Sequence, residues 1–164
     1  MPINELLLRE FDSELANTRK TLQRVPAEKW DWKPHEKSGT LGWMAGHVAT
    51  LSGFTTGTIT TPEIDIATVN FPKVEKHANL METFEKMAKE ARAALAGVTD
   101  EQLRQTWTLK HGGNVLFSMP RYDVLRTMCF NHVIHHRAQL TMYLRQLGVP
   151  VPALYGPSAD EKNF

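Results

Sequence analysis

Cysteine is almost absent from this chain. One residue among 164, Cys129, cannot close an internal disulfide, so the fold must rest on a noncovalent core. Long hydrophobic runs are missing too. The longest nearly apolar stretch, Leu41 to Phe54, is interrupted by His47 and falls short of the roughly 20 residues of a membrane span. Neither sign of charge dominates: Lys and Arg total 19 against 18 Asp and Glu, a formal net charge of +1, without the basic excess expected of a nucleic-acid binder. The opening Met1-Pro2-Ile3-Asn4-Glu5 has no basic region followed by an apolar one, so no secretory leader is read and the cytoplasm is the expected compartment. Several chemistries lack their motifs. The glycines fit neither a phosphate loop nor a dinucleotide fingerprint, Val133 stands after His132 where a metalloprotease helix needs Glu, and no Glu precedes an inward His by three residues as di-iron bundles require.

What remains is an ordinary folded composition, 41% hydrophobic and 23% charged, of a length suited to one domain over residues 1–164. Apolar spacing of three and four residues predicts an all-α chain, a four-helix bundle. The first helix carries the stripe Leu8, Phe11, Leu15, Thr18, Leu22 and Val25 and stops at Pro26. A second runs from Leu41 to about Thr58 behind Thr40 as N-cap. Its four glycines disfavour a helix by about 1 kcal/mol each, so close approach of another helix is expected there. The third has the stripe Leu80, Phe84, Met87, Ala91, Leu95 and Val98, and the fourth spans about Pro120 to Leu147 before Gly148 and Pro150. Alternation on either side of Gly112-Gly113-Asn114 suggests a small hairpin ahead of the last helix. Two long connections, Pro26 to Gly39 and Thr61 to about Glu75, are candidates for covering one end of the bundle. The residues after Leu147 read as an irregular tail.

The chemistry concentrates in the last helix. Its inward stripe reads Leu125, Cys129, His132, His136, Leu140 and Tyr143, placing two histidines where a bundle normally carries leucine. Residues four apart project about 40° from one another and can converge on one atom. His47 occupies the corresponding stripe of the second helix. Three unpaired imidazoles in a core would each cost a few kcal/mol; one divalent ion satisfies all three, and hydrogen-bonded core histidines are the competing explanation. Cys129 is a fourth ligand, a nucleophile or simply a buried small hydrophobe. His135 projects about 60° to the side of His132, either supporting the ligands from behind or sitting at the helix flank, and His35, His77 and His111 lie in polar segments and read as solvated. Trp30, Trp32 and Trp43 line a pocket or belong to the core.

Asn131-His132-Val133-Ile134-His135-His136-Arg137-Ala138-Gln139, followed by Leu147-Gly148-Val149-Pro150 and a tail containing Tyr155-Gly156-Pro157-Ser158-Ala159-Asp160-Glu161, resembles the DinB-like (DinB/YfiT-like) superfamily of helical-bundle metalloproteins. Its members carry a His in the second helix and H-x-x-x-H followed by Arg-Gly-Gln in the last. Here Ala138 replaces the Gly. The resemblance places the metal ligands on His47, His132 and His136, with nickel or zinc favoured and iron or manganese as alternatives. It implies a homodimer, a small-molecule substrate, and a thiol-transferase type of reaction in which a low-molecular-weight thiol binds the open metal position and attacks an electrophile. A metal-dependent hydrolase and a non-enzymatic stress-response binding module are the alternatives. No nucleic acid or membrane partner is expected, and no catalytic residue beyond the ligands is assigned.

Overall fold

Leu7, Phe11, Thr18 and Leu22 form the buried side of helix α1, Ile3–Leu22. A computed structural model describes residues 1–162 and is mostly helical, with a small sheet. After α1 come α2 (Leu41–Thr50), α3 (Ser52–Thr60), α4 (Leu80–Gly97) and the short α5 (Asp100–Arg104). The last helical stretch comprises α6 (Arg121–Val124), a π-helical turn at Leu125–Phe130 and α7 (Asn131–Gln146). Helices α1 and α2 both pack against α4 and α7. Between them lies one apolar cluster around Leu22, Leu41, Val48, Phe84 and Leu140. A second cluster, around Phe11, Leu95, Leu103 and Phe130, fills the other end. No helix among the described residues is long and apolar enough to cross a membrane.

The long second helix is divided at Leu51. Its backbone stays in the right-handed helical region there, but the Phe54 N–H bonds to the Leu51 carbonyl only three residues back. Just before the break the Thr50 hydroxyl donates to the carbonyls of Gly46 and His47 at 3.0 and 3.2 Å, a back-bond that tends to bend a helix. Its glycines are met mostly by loops and a strand rather than by a helix. A methyl group at Gly42 would lie 2.4 Å from the Trp30 indole, so Trp30 seats directly on the α2 backbone. The Gly42 and Leu41 N–H groups in turn donate to the Trp30 and Trp32 carbonyls at 2.8 and 2.7 Å. Only Gly53 faces a helix, through Met87 of α4.

An all-α chain is not what forms. The expected hairpin is present, with β2 (Thr106–His111) and β3 (Asn114–Pro120) antiparallel, but a third strand, β1 (Glu63–Asp65), pairs in parallel with β2. Three residues are too few to show alternation. They become a strand because Ile64 is buried with Trp107, Leu109 and Val124, and because Asp65 is held by the turn. Gly112 and Gly113 have φ of +57° and +82°, the left-handed values a two-residue hairpin turn demands. Their N–H groups donate to the Asp65 carboxylate at 2.9 and 2.7 Å, which holds it below the usual carboxylate range.

The tail is irregular but anchored. Asp160 accepts from Arg145 at 2.6 Å and from the Val151 N–H at 2.8 Å, while Glu161 pairs with Arg24 and accepts from the Ala153 N–H at 2.9 Å.

Candidate metal centre

His47 comes from α2, and His132 and His136 lie one turn apart on α7, so the α2–α7 contact brings all three together. One nitrogen from each ring lies within 4.8 Å of the other two. The three are half-buried. The wide π turn just before α7 matters for this placement. The Met128 carbonyl within it lies 3.3 Å from His132 Nδ1, and such turns recur at functional sites.

Each ring of the α7 pair has one nitrogen committed outward. His132 Nδ1 donates to the Met128 carbonyl, and His136 Nδ1 donates to Gln139 Oε1 at 2.7 Å. The remaining Nε2 atoms face each other at 2.9 Å. With Nδ1 protonated on both neutral rings, the two Nε2 atoms present lone pairs to one point, a repulsive arrangement that a cation relieves. Two metal–nitrogen bonds at a tetrahedral angle put their nitrogens about 3.3 Å apart, so these rings need move only slightly to hold an ion. His47 completes the donor set, its ring centroid 4.5 Å from that of His136 and 5.3 Å from that of His132. The residues fit a divalent cation bound by three neutral imidazoles.

Electrostatics favour the same protonation state. His47 is pushed down to about 4, first by burial and then by its neighbours His136 and His132. Burial also lowers His132 and His136, against the hydrogen bonds to Met128 and Gln139 that raise them. All three are therefore neutral, and able to bind metal, at neutral pH.

A cleft of about 710 Å³ opens beside the cluster, with His47 and His132 in its wall. Trp43 stacks on His47 at 5.2 Å, with 13° between the planes. The segment after β1 supplies Ile66, Phe71 and Val74 to the same cleft, so part of the second long connection lines the space beside the site.

The tryptophans divide between the two expectations: Trp30 and Trp43 line the cleft, while Trp32 packs edge-on against Tyr143 beside the core. Cys129 lies outside the histidine cluster among the described residues. It is buried near Thr58, and burial raises its thiol to about 12, which suits an inert core residue. His135 is exposed on the flank. His35 and His111 are exposed as expected, but His77 is not free: its Nε2 lies 2.8 Å from the Val25 carbonyl and its ring packs edge-on against Trp30.

Sequence reasoning met Gln139 and Arg137 only as letters of the family motif and gave neither a role. The Gln139 signal was its place three residues after His136, one turn along the same face. Arg137 is buried and points to the other side of α7, where it bonds Glu14 Oε2 at 2.6 Å, the Glu14 carbonyl at 3.0 Å, Thr18 at 3.1 Å and the Tyr155 hydroxyl.

Known proteins agree with this architecture. The chain is 25% identical over 157 residues to the Bacillus subtilis protein YrdA, covering 94% of this chain and 89% of that protein. A crystal structure of the DinB-like protein YjoA from Bacillus subtilis superposes with a TM-score of 0.74 at 18% identity, over 96% of this chain and 99% of the other, a likeness of fold alone. A DinB-like protein from Bacillus cereus ATCC 10987 gives a TM-score of 0.68 at 26% identity, over 90% and 95% of the two chains. The DinB family model matches residues 1–163, and the chain belongs to the DinB family.

Proposed function

We propose that this protein is a metal-dependent enzyme of thiol-transferase type, in which His47, His132 and His136 hold one divalent ion, nickel or zinc, within a four-helix bundle. The observation that carries the metal site is the pair of Nε2 atoms facing each other at 2.9 Å while both Nδ1 atoms are engaged elsewhere. When bound, such an ion supplies Lewis acidity that lowers the pKa of a thiol or of water presented to it.

The chain's own residues favour the thiol. Val133 follows His132, so the helix position that supplies the general-base Glu of a metalloprotease carries no carboxylate here. A thiol is far more acidic than water, so beside such an ion it would lose its proton to solvent; its sulfur would then bond to the electrophilic carbon while the leaving group departs with its electron pair or, at an activated double bond, while the adjacent carbon takes a proton from water. Gln139 and the Met128 carbonyl hold the two α7 rings with Nε2 inward, and the cleft beside His47 and His132 offers room for the electrophile. The hydrolytic alternative has one candidate base, Glu75, whose residue lines the same cleft. A dimeric assembly, a cytoplasmic location and a single domain belong to the same proposal.

Two measurements test it. Elemental analysis of protein purified without a tag or added metal should give about one nickel or zinc per chain, lost in the double variant His132→Ala with His136→Ala. The loaded protein should accelerate conjugation of a small bacterial thiol to a chloro-aromatic or maleyl-type electrophile, with metal-free protein inactive and restored on reloading. Metal-dependent turnover of a simple ester instead would establish the hydrolase, and inactivity in both assays would leave a binding module.

A further inference from the structure

The three candidate ligands are not held alike. His132 and His136 are each oriented by a hydrogen bond at Nδ1, to the Met128 carbonyl and to Gln139. Among the described residues neither ring nitrogen of His47 has a hydrogen-bond partner. A ligating histidine almost always has its second ring nitrogen anchored in this way, so the orientation of His47 falls to whatever its ring touches. Apart from the other two imidazoles, that is the Trp43 indole, one turn earlier on α2. The two planes lie 13° apart with their centroids at 5.2 Å.

Core packing does not explain where Trp43 sits. Trp30 and Trp32 pack against the apolar cluster around Leu22 and Leu140, whereas Trp43 belongs to none of the apolar clusters of the described residues and is 54% exposed. Burial therefore gives it only part of the gain a core tryptophan receives. It is fixed nonetheless. Its backbone N–H donates to the Thr40 side chain, the cap of α2, at 3.0 Å. Its six-membered ring lies so close to Gly39 that a β-carbon there would come within 2.5 Å. Gly39 is tied in turn to the helix of the other two histidines, since its carbonyl accepts from the Tyr143 hydroxyl at 3.3 Å. The loop before α2, the helix cap and α7 thus hold the indole against His47.

Such a stack distinguishes a free imidazole from a metal-bound one. A ring nitrogen that gives its lone pair to a dication draws electron density from the whole imidazole, and the negative face of an indole attracts an electron-poor ring. The contact also narrows the rotation of the His47 ring before any ion arrives, so less freedom is lost on binding. We infer that Trp43 is the positioning residue for His47, doing by ring stacking what Met128 and Gln139 do by hydrogen bonds for the other two histidines. The role presupposes the metal centre proposed above but not the thiol chemistry.

Nickel affinity, measured by chelator competition on untagged protein stripped of metal, tests the role. Trp43→Leu keeps an apolar side chain without a π face and should weaken nickel by about threefold to tenfold. Trp43→Phe restores a ring and should stay within about twofold of the native affinity. Because Trp43 is largely exposed and off the core, both variants should keep the native helical spectrum and urea midpoint. The effect must also pass through His47. In His47→Ala the facing Nε2 atoms of His132 and His136 remain as a weaker two-nitrogen nickel site, and there Trp43→Leu should change affinity by less than about twofold. A loss smaller than about threefold in Trp43→Leu, no recovery in Trp43→Phe, or an equal loss in the His47→Ala background would overturn the assignment, the last by showing that Trp43 acts through the fold. Native protein that takes up no nickel would refute the metal centre and this role together, whereas native nickel binding indifferent to Trp43 would refute the role alone.

Discussion

Gln139 touches no inward-facing nitrogen of the cluster, yet it decides which nitrogen His136 presents. By accepting from Nδ1 at 2.7 Å it leaves Nε2 as the acceptor facing His132. Gln139→Leu keeps the size and removes the acceptor, and should weaken metal affinity by about 10- to 100-fold in a chelator competition without changing the helical spectrum. The proton competes for the same lone pairs. Because the folded protein holds all three imidazoles below the usual value of 6.5, and His47 at about 4, protons displace the metal only at a pH lower than a free imidazole would suggest. In the metal-free protein the same shift has a stability consequence. The unfolded chain binds more protons than the folded one between the two pKa values, so stability falls as pH drops below 6.5 and goes on falling toward about 4. His47→Gln should flatten that slope in urea titrations from pH 7 to pH 4. The histidines themselves were legible because imidazoles on apolar stripes are conspicuous. The role of Gln139 and the buried contact of His77 were not, because a polar residue bonded to a neighbouring imidazole or a distant carbonyl has the same sequence signature as a solvated one.

At the level of elements, hydrophobic period located every long helix but could not see its irregularities. The break at Leu51 is a change from a four-residue to a three-residue backbone bond that leaves no mark on the apolar spacing, and the π turn at Leu125–Phe130 leaves Leu125, Cys129 and Phe130 all buried, a pattern compatible with a plain helix. Strand β1 is invisible for a different reason: its hydrogen bonds are made to β2, more than forty positions away. The glycines of α2 were read correctly as signs of close approach, but the approaching group at Gly42 is the Trp30 side chain. That contact gives a sharp expectation. Gly42→Ala would ordinarily favour a helix by about 1 kcal/mol. Here its methyl group would overlap the indole at 2.4 Å, so the substitution should destabilise by about 1–3 kcal/mol in urea unfolding. It should also displace Trp30 from the cleft, visible as a change in tryptophan emission.

Across the whole molecule, one buried network joins the first helix, the last helix and the tail. The Arg137 and Glu14 side chains are only 1% and 10% exposed at their 2.6 Å contact, and the Tyr155 hydroxyl donates to Glu14 Oε2 at 2.7 Å. Burial and the bond to Glu14 raise that hydroxyl to about 12, which keeps it protonated and donating. Sequence alone marked Arg137 only as part of a family motif, since its partner lies more than a hundred residues earlier. Because Arg137 directly follows His136, the side of α7 facing α1 and the tail is fixed by this ion pair while the opposite side carries the histidines. Removing one partner leaves the other charged and buried: Glu14→Ala should cost about 3–5 kcal/mol in urea unfolding of the metal-free protein. Replacing both with apolar residues of similar volume, Glu14→Leu with Arg137→Met, removes the stranded charge and should recover most of that loss. If the double variant is as unstable as Glu14→Ala, the network stabilises the fold through its hydrogen bonds to Thr18 and Tyr155 rather than by pairing charge. Tyr155→Phe, expected to cost about 1 kcal/mol, would then account for a correspondingly larger share.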